Sequence, residues 1–347
     1  MITATNARRI AVLTLLVAAT TASSILAKQK QDHEREKSAR EVLVEQAQRL
    51  RPFVRSEIAE SFLLAVPELP AVAVPRVAYH NRETRDAVSV QQADTMSEEE
   101  LAGYERLELD EEFYYFTRYG TPLAFVRPLD LLGRAGLESL DGARVVDFGF
   151  GSIGQLRLMA SCGANAHGID VDRLLGVLYG RRGDTGLVPR AKSAGFGHDG
   201  RVTVHIGRWP ADTAMVRAVG GGYTAFISKN TLKNGYIHPA QEVDPRMLVH
   251  LGVGDEEYVR AVYRALQDRG YFMIYNLCPA QSKERYIPWA DGRCPFERDL
   301  LERVGFQVLA YNEDDTQAAR EMGKLLGWGD QMDLEHDLFG TYTLMRK

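Results

Sequence analysis

The stretch "RVVDFGFGSIGQLRLMA", residues 144–160, constrains the fold more than any other part of the chain. Val145–Phe148 reads as a buried strand. Gly149-Phe150-Gly151-Ser152-Ile153-Gly154 then fits GxGxxG, and a helix follows from about Gln155 to Cys162. A strand, a tight glycine turn and a helix together bring bare backbone close to a nucleotide. The glycines alone are weak evidence, because any sharp strand-to-helix turn favours them. Their context adds weight. Asp170 ends the next strand, 21 residues after Gly149, where a carboxylate can accept both hydroxyls of a ribose. On these residues an NAD site fits as well as any other.

From Ala143 onward, short apolar strands alternate with helices. Strands are expected at "ANAHGID" (164–170), "RVTVHIG" (201–207), "YTAFIS" (223–228), "YFMIYN" (271–276), "FQVLAY" (306–311) and the closing "LFGTYTLMRK". "DEEYVRAVYRALQDRG" reads as a helix ending at Gly270, and Pro295 opens another, "PFERDLLERVG". The alternation implies an α/β, doubly wound, mostly parallel sheet. Upstream, Ala39, Leu43, Ala47 and Leu50 share one helical face, residues 67–93 read as linker or cover, and Ser97 with Glu100 forms a capping box. Tyr119-Gly120-Thr121-Pro122 is a turn placed to act as a lid.

Two features point away from NAD. Asp147 lies two residues before the first glycine, where it would face a pyrophosphate across a short turn. It suits a ligand with a cationic head. The helix, strand, helix and final strand after residue 276 would also let the last strand insert antiparallel.

On these residues the segment from about Leu137 to Lys347, about 60% of the chain, resembles the class I S-adenosylmethionine-dependent methyltransferases. "VVDFGFGSIG" is similar to that family's first motif and "GIDVD" to its second. "YTAFISKNTL" resembles its fourth-strand motif, and "VYRALQDRGYFMIYNL" and "LLERVGFQVLA" its later units. The resemblance implies a seven-stranded sheet with the last strand antiparallel, and S-adenosylmethionine as cofactor. It implies cofactor contacts at Asp147, Gly149, Phe150, Gly151, Ser152 and Gly154, at Asp170 and Val171, and at Ser228 and the lid residue Tyr119. The sequence departs from the family pattern in three places. The third glycine is one residue late. Gly207 and Arg208 stand where many relatives carry an acid for the adenine amine, a role Asp212 could take. "SKNT" replaces the Asn/Asp-Pro-Pro run associated with nucleobase amines.

Charge bears on the acceptor. With a net charge of −5 and a pI of about 6.0, the chain offers no basic field for nucleic acid. Cys162, Cys278 and Cys294 are too scattered for a disulfide framework or a metal cluster. A small molecule or a protein side chain is the expected acceptor.

Methyl transfer from a sulfonium needs alignment above all, and needs a base only if the acceptor must lose a proton. The expected catalytic residues lie in "SKNTLKNGYIHP" (228–239), after the fourth parallel strand: Lys229, Asn230, Tyr236 and His238, with His238 as general base. The loop 277–296, with Tyr286 and Trp289, is a candidate wall over the substrate, and Arg118 a candidate partner for the cofactor carboxylate.

The N-terminus is of another kind. Arg8 and Arg9 precede the uncharged run "IAVLTLLVAATTASSILA", residues 10–27. Residues 1–27 therefore read as a signal peptide or membrane anchor, followed by a helical stalk and lid region (28–136) and a Rossmann-like domain (137–347). The expectation is an exported or membrane-anchored protein, facing the cytoplasm if it is an active enzyme. An NAD(P)-binding oxidoreductase and a non-catalytic envelope scaffold are the rival readings.

Overall fold

The computed structural model describes residues 37–118 and 120–347. The hydrophobic segment 10–27 and Tyr119 lie outside the described residues. Among the described residues, no helix is long and apolar enough to cross a membrane.

The chain first forms helices at Ala39–Leu50 and Glu57–Leu64. Leu43, Ala47 and Leu50 are buried on one face of the first, as their spacing requires. A small antiparallel sheet follows, made of β1 (Arg76–Asn81), β2 (Asp86–Ser89) and β3 (Glu105–Leu109) in the order β2-β1-β3. The extension is therefore not all helical, and part of 67–93 is strand rather than linker. The capping box at Ser97 and Glu100 is present, but it opens a helix of only Glu98–Leu101.

The main sheet contains β4 (Arg144–Phe148), β5 (Asn165–Asp170), β6 (Gly186–Val188), β7 (Gly200–Ile206), β8 (Tyr223–Lys229), β9 (Leu266–Cys278), β10 (Gln307–Asp314) and β11 (Phe339–Arg346). Their order is β10-β11-β9-β8-β4-β5-β7-β6. The β4 strand is parallel to β5 and β8, β5 to β7, and β8 to β9. The last strand, β11, lies antiparallel between β9 and β10. These seven strands were legible in the sequence. The eighth, β6, is an antiparallel edge on β7 that was not. A second departure is the helix Asp255–Ala265, which stops before Gly270. Its expected last turn joins β9 instead. The register passes from Tyr223↔Leu266 to Ala225↔Tyr271, so extra residues bulge out of β9 around Arg269.

Side-chain alternation splits the core between the two faces of the sheet. Val145, Ala225, Ile227, Met273 and Tyr275 pack with the N-terminal helices and the helix Gly154–Ser161. Val146, Phe148, Phe226, Phe272 and Ile274 pack on the opposite face with Val259, Val262 and Leu301. A buried ion pair joins the small sheet to the rest. Arg76 in β1 donates to both oxygens of Asp184 at 2.8 Å, and the Tyr114 hydroxyl donates to Asp184 at 3.1 Å. The chain leaves β4 toward β5 and later returns to β8 on its other side. This places a crevice beyond the C-terminal end of β4.

Candidate functional site

A cleft of about 1240 Å³ occupies that crevice. It exceeds the roughly 300–1,000 Å³ usual for one small ligand, leaving room for two. Its floor is the glycine turn. Gly149 has φ +75°, and a Cβ there would lie 2.0 Å from Thr231 Oγ1, so both conformation and space demand glycine. The late third glycine has a different role. A Cβ on Gly154 would lie 2.7 Å from Pro122 Cγ, so this glycine lets the helix Gly154–Ser161 pack against the Thr121-Pro122 turn. Gly154 does not line the cleft, although the family pattern suggested a cofactor contact.

Two carboxylates stand at the ends of neighbouring strands. Asp147, near the end of β4, is only 2% exposed. Its Oδ2 accepts from Gln155 Nε2 at 2.9 Å, and Ser152 Oγ donates to Gln155 Oε1 at 2.8 Å. Asp147 Oδ1 has no hydrogen bond among the described residues. Burial pushes the Asp147 carboxyl up to about 7, against the lowering effects of the Gln155 hydrogen bond and the Lys229 charge. Asp170, at the end of β5, accepts backbone N–H bonds from Gly151 (3.2 Å), Val171 (2.7 Å) and Asp172 (3.0 Å). Burial raises its pKa despite these bonds. Val171 beside it is 64% exposed and lines the cleft, an apolar surface open to a flat ring.

The expected residues divide between the cleft and its surroundings. Asp147, Gly149, Gly151, Ser152, Asp170, Val171, Lys229, Asn230 and Tyr236 all line it. Phe150 also lines it, but its ring packs inward against Tyr179 and over Gly168. Ser228 does not line it: the residue is fully buried, and its hydroxyl accepts from the Leu232 N–H. His238 is outside as well. Its Nε2 lies 2.9 Å from Asp255 Oδ2, in a shallow depression that shares Val249, His250 and Leu251 with the cleft wall. His238 itself does not border the cleft. Arg118 pairs with Asp172 at 2.6 Å. Trp289 is a wall residue, whereas the Tyr286 hydroxyl accepts from the Ala240 N–H outside the cleft. Asp212 lines the cleft and caps the helix Thr213–Val219.

At the far end of β8, Asn230 adopts φ +66° and its Oδ1 accepts from the Leu277 N–H at 2.7 Å. That bond ties the ends of β8 and β9 together, a structural duty the sequence reading did not assign. Lys229 is half-buried, and its ammonium has no hydrogen bond or ion pair among the described residues. Lys233 Nζ donates to the carbonyls of Leu277 (2.5 Å) and Trp289 (3.2 Å). Burial lowers both ammonium groups to about 8. Gln155 and Lys233 were missed as site residues. Gln155 is recognisable only once the helix turns it back onto Asp147. The hairpin residues Thr84, Arg85 and Asp86 and the segment 246–251 complete the walls.

No family model matches the chain, and no curated protein matches it. Among solved structures, it is similar to the [4+2]-cyclase SpnF, at 17% identity and TM-score 0.37 over 64% of this chain and 80% of that one. It is also similar to a Haemonchus contortus phosphoethanolamine N-methyltransferase 2 (14%, TM-score 0.37, 68% and 57%). A third is a geranyl diphosphate methyltransferase in complex with SAM (13%, TM-score 0.37, 65% and 85%).

Proposed function

We propose that the cleft binds S-adenosylmethionine and that the chain transfers its methyl group to a small molecule or protein side chain. The observation that carries this reading is Asp147. It is a buried carboxylate under the glycine turn, with one oxygen held by Gln155 and the other without a partner. Such a group calls for a cation, and a pyrophosphate in the same place would be repelled. The antiparallel β11 between β9 and β10 also departs from the parallel dinucleotide-binding order.

In this reading the Asp147 carboxylate holds the ammonium of the cofactor, Asp170 its ribose hydroxyls and Val171 one face of its base. When bound, the cofactor supplies an activated methyl group on a sulfonium, so transfer is an in-line displacement without a redox step. The chain contributes mainly alignment and exclusion of water. Lys229, Asn230 and Tyr236 line the cleft and in this reading face the acceptor. Asn230 serves there chiefly by fixing the β8 and β9 ends.

The pKa of Asp147 provides a test. Its folded value lies above the usual carboxylate range, so in the empty cleft the charged form is disfavoured. The cost of ionisation sets in as pH rises from that range and is complete above about 7. A bound ammonium favours the charged form, so affinity must rise with pH across this window. Isothermal titration with S-adenosylhomocysteine, whose charges do not change there, should show about five- to tenfold tighter binding at pH 7.5 than at pH 6. Asp170 is shifted in the same direction, so Asp147→Asn is the control and should flatten the profile. Wild-type affinity that is flat or falls with pH would count against a cation at Asp147.

A further inference from the structure

We propose that the acceptor is an acid, with a carboxylate or phosphate seated at Lys229 and an apolar body against Trp289 and residues 247–251. The inference rests on the cofactor reading above and extends it to the second ligand. The cleft lining carries charges of both signs. Its lining carboxylates are Asp86, Asp147, Asp170 and Asp212. Asp86 is held by Arg173 at 2.9 Å and by the Tyr104 hydroxyl at 3.0 Å. Asp212 caps a helix through the Ala214 N–H at 2.8 Å, and Asp170 gathers three backbone N–H groups. Asp147 differs from these in being almost fully buried with one oxygen that accepts no hydrogen bond among the described residues.

The lining cations are Arg85, Arg173, Arg208, Lys229, Lys233 and Arg246. Arg173 pairs with Asp86, Arg85 donates to the Arg246 carbonyl, and Arg208 is exposed. Arg246 is neutralised by Asp244 at 2.6 Å. Lys233 is hydrogen-bonded to two carbonyls, which satisfy its protons but not its charge. Lys229 has neither hydrogen bond nor ion pair among the described residues, and the carboxylate that acts on it electrostatically is Asp147. A cofactor ammonium on Asp147 removes that support and leaves Lys229 uncompensated in a half-buried position. An anion on the second ligand restores the balance. The Lys229 charge also disfavours that of Lys233, which the same anion would relieve. Apolar side chains line the cleft as well: Met247 is 45% exposed, and Leu248, Val249, Leu251 and Trp289 add to the wall.

The test uses the full chain saturated with S-adenosylhomocysteine and titrated at low ionic strength with benzoate, phenyl phosphate and benzyl alcohol. At least one acid should bind tenfold or more tighter than the alcohol, and the stronger of the two identifies the carboxylate or phosphate chemistry. Lys229→Met should erase the preference and Lys229→Arg restore most of it. Equal binding of acids and alcohol, no binding of either acid, or a preference that survives in Lys229→Met overturns the proposal while leaving the cofactor reading intact. Failure of the wild type to bind S-adenosylhomocysteine removes the reading itself, and the proposal with it.

Discussion

Asp170→Ala should weaken S-adenosylhomocysteine binding by about a hundredfold or more. A ribose placed over the glycine turn offers two hydroxyls to this carboxylate. Hydrogen bonds to a charged group contribute about 1.5–3 kcal/mol each, and 1.4 kcal/mol is a factor of ten. The side chain has a second duty, since it accepts N–H bonds from Gly151, Val171 and Asp172 and so pins the turn to the end of β5. Removing it loosens the floor of the cleft as well as the ribose contact. Asp170→Asn keeps one acceptor and should retain an intermediate affinity, about tenfold below wild type. Titration calorimetry on both variants measures the effect, with thermal unfolding to show that the fold survives. A loss of less than threefold for the alanine variant would mean that the ribose lies elsewhere.

The second large effect concerns stability rather than the site. Arg127 is buried in the helix Val126–Arg134 and donates to both oxygens of Asp315 at 2.6 and 2.8 Å, and to Asp130 at 3.1 Å. The Tyr275 hydroxyl also donates to Asp315, at 3.1 Å. Asp130 in turn accepts the backbone N–H groups of Arg55 and Ser56. One guanidinium thus joins the N-terminal helices, β9 and the start of the helix Thr316–Leu326. Arg127→Met strands two buried carboxylates, and breaking a buried pair in this way costs about 3–5 kcal/mol. Urea unfolding followed by circular dichroism should show that loss. Adding Asp315→Asn should recover part of it, because the stranded charge causes much of the damage. A single-variant loss below about 1 kcal/mol would show that water reaches these carboxylates.

The parts of the molecule legible in the sequence are those where local pattern and tertiary role agree. The β4 strand and its glycine turn could be read because consecutive apolar residues and the glycine needed at Gly149 leave few alternatives. The position of β11 followed from the order of elements after β9. By contrast, β6 spans only Gly186–Val188 with one fully buried residue, too little for any period to register. The helix Asp255–Ala265 ran on into β9 in the sequence pattern because the polar side chains of Gln267, Asp268 and Arg269 suit an exposed helical turn as well as a bulge. The small sheet was hidden by prolines and by strands as short as Asp86–Ser89.

The site divides in the same way. Asp147 and Asp170 could be placed on the cleft from sequence because their positions are fixed relative to strand ends. His238 was misplaced, since its distance in sequence from β8 does not reveal that the chain turns away and hands it to Asp255. Asn230 shows the reverse case. It reaches the cleft, but its left-handed backbone and its bond to Leu277 become visible only when β8 and β9 are side by side.

A cleft built for a sulfonium nucleoside and one built for a dinucleotide differ in which ligand they bind. Parallel isothermal titrations of the purified chain with S-adenosylhomocysteine and with NADH, at pH 7.5, test the cofactor reading most directly. The expected result is saturable, micromolar-range binding of S-adenosylhomocysteine with no measurable heat from NADH. Tight binding of NADH without the homocysteine ligand would contradict it.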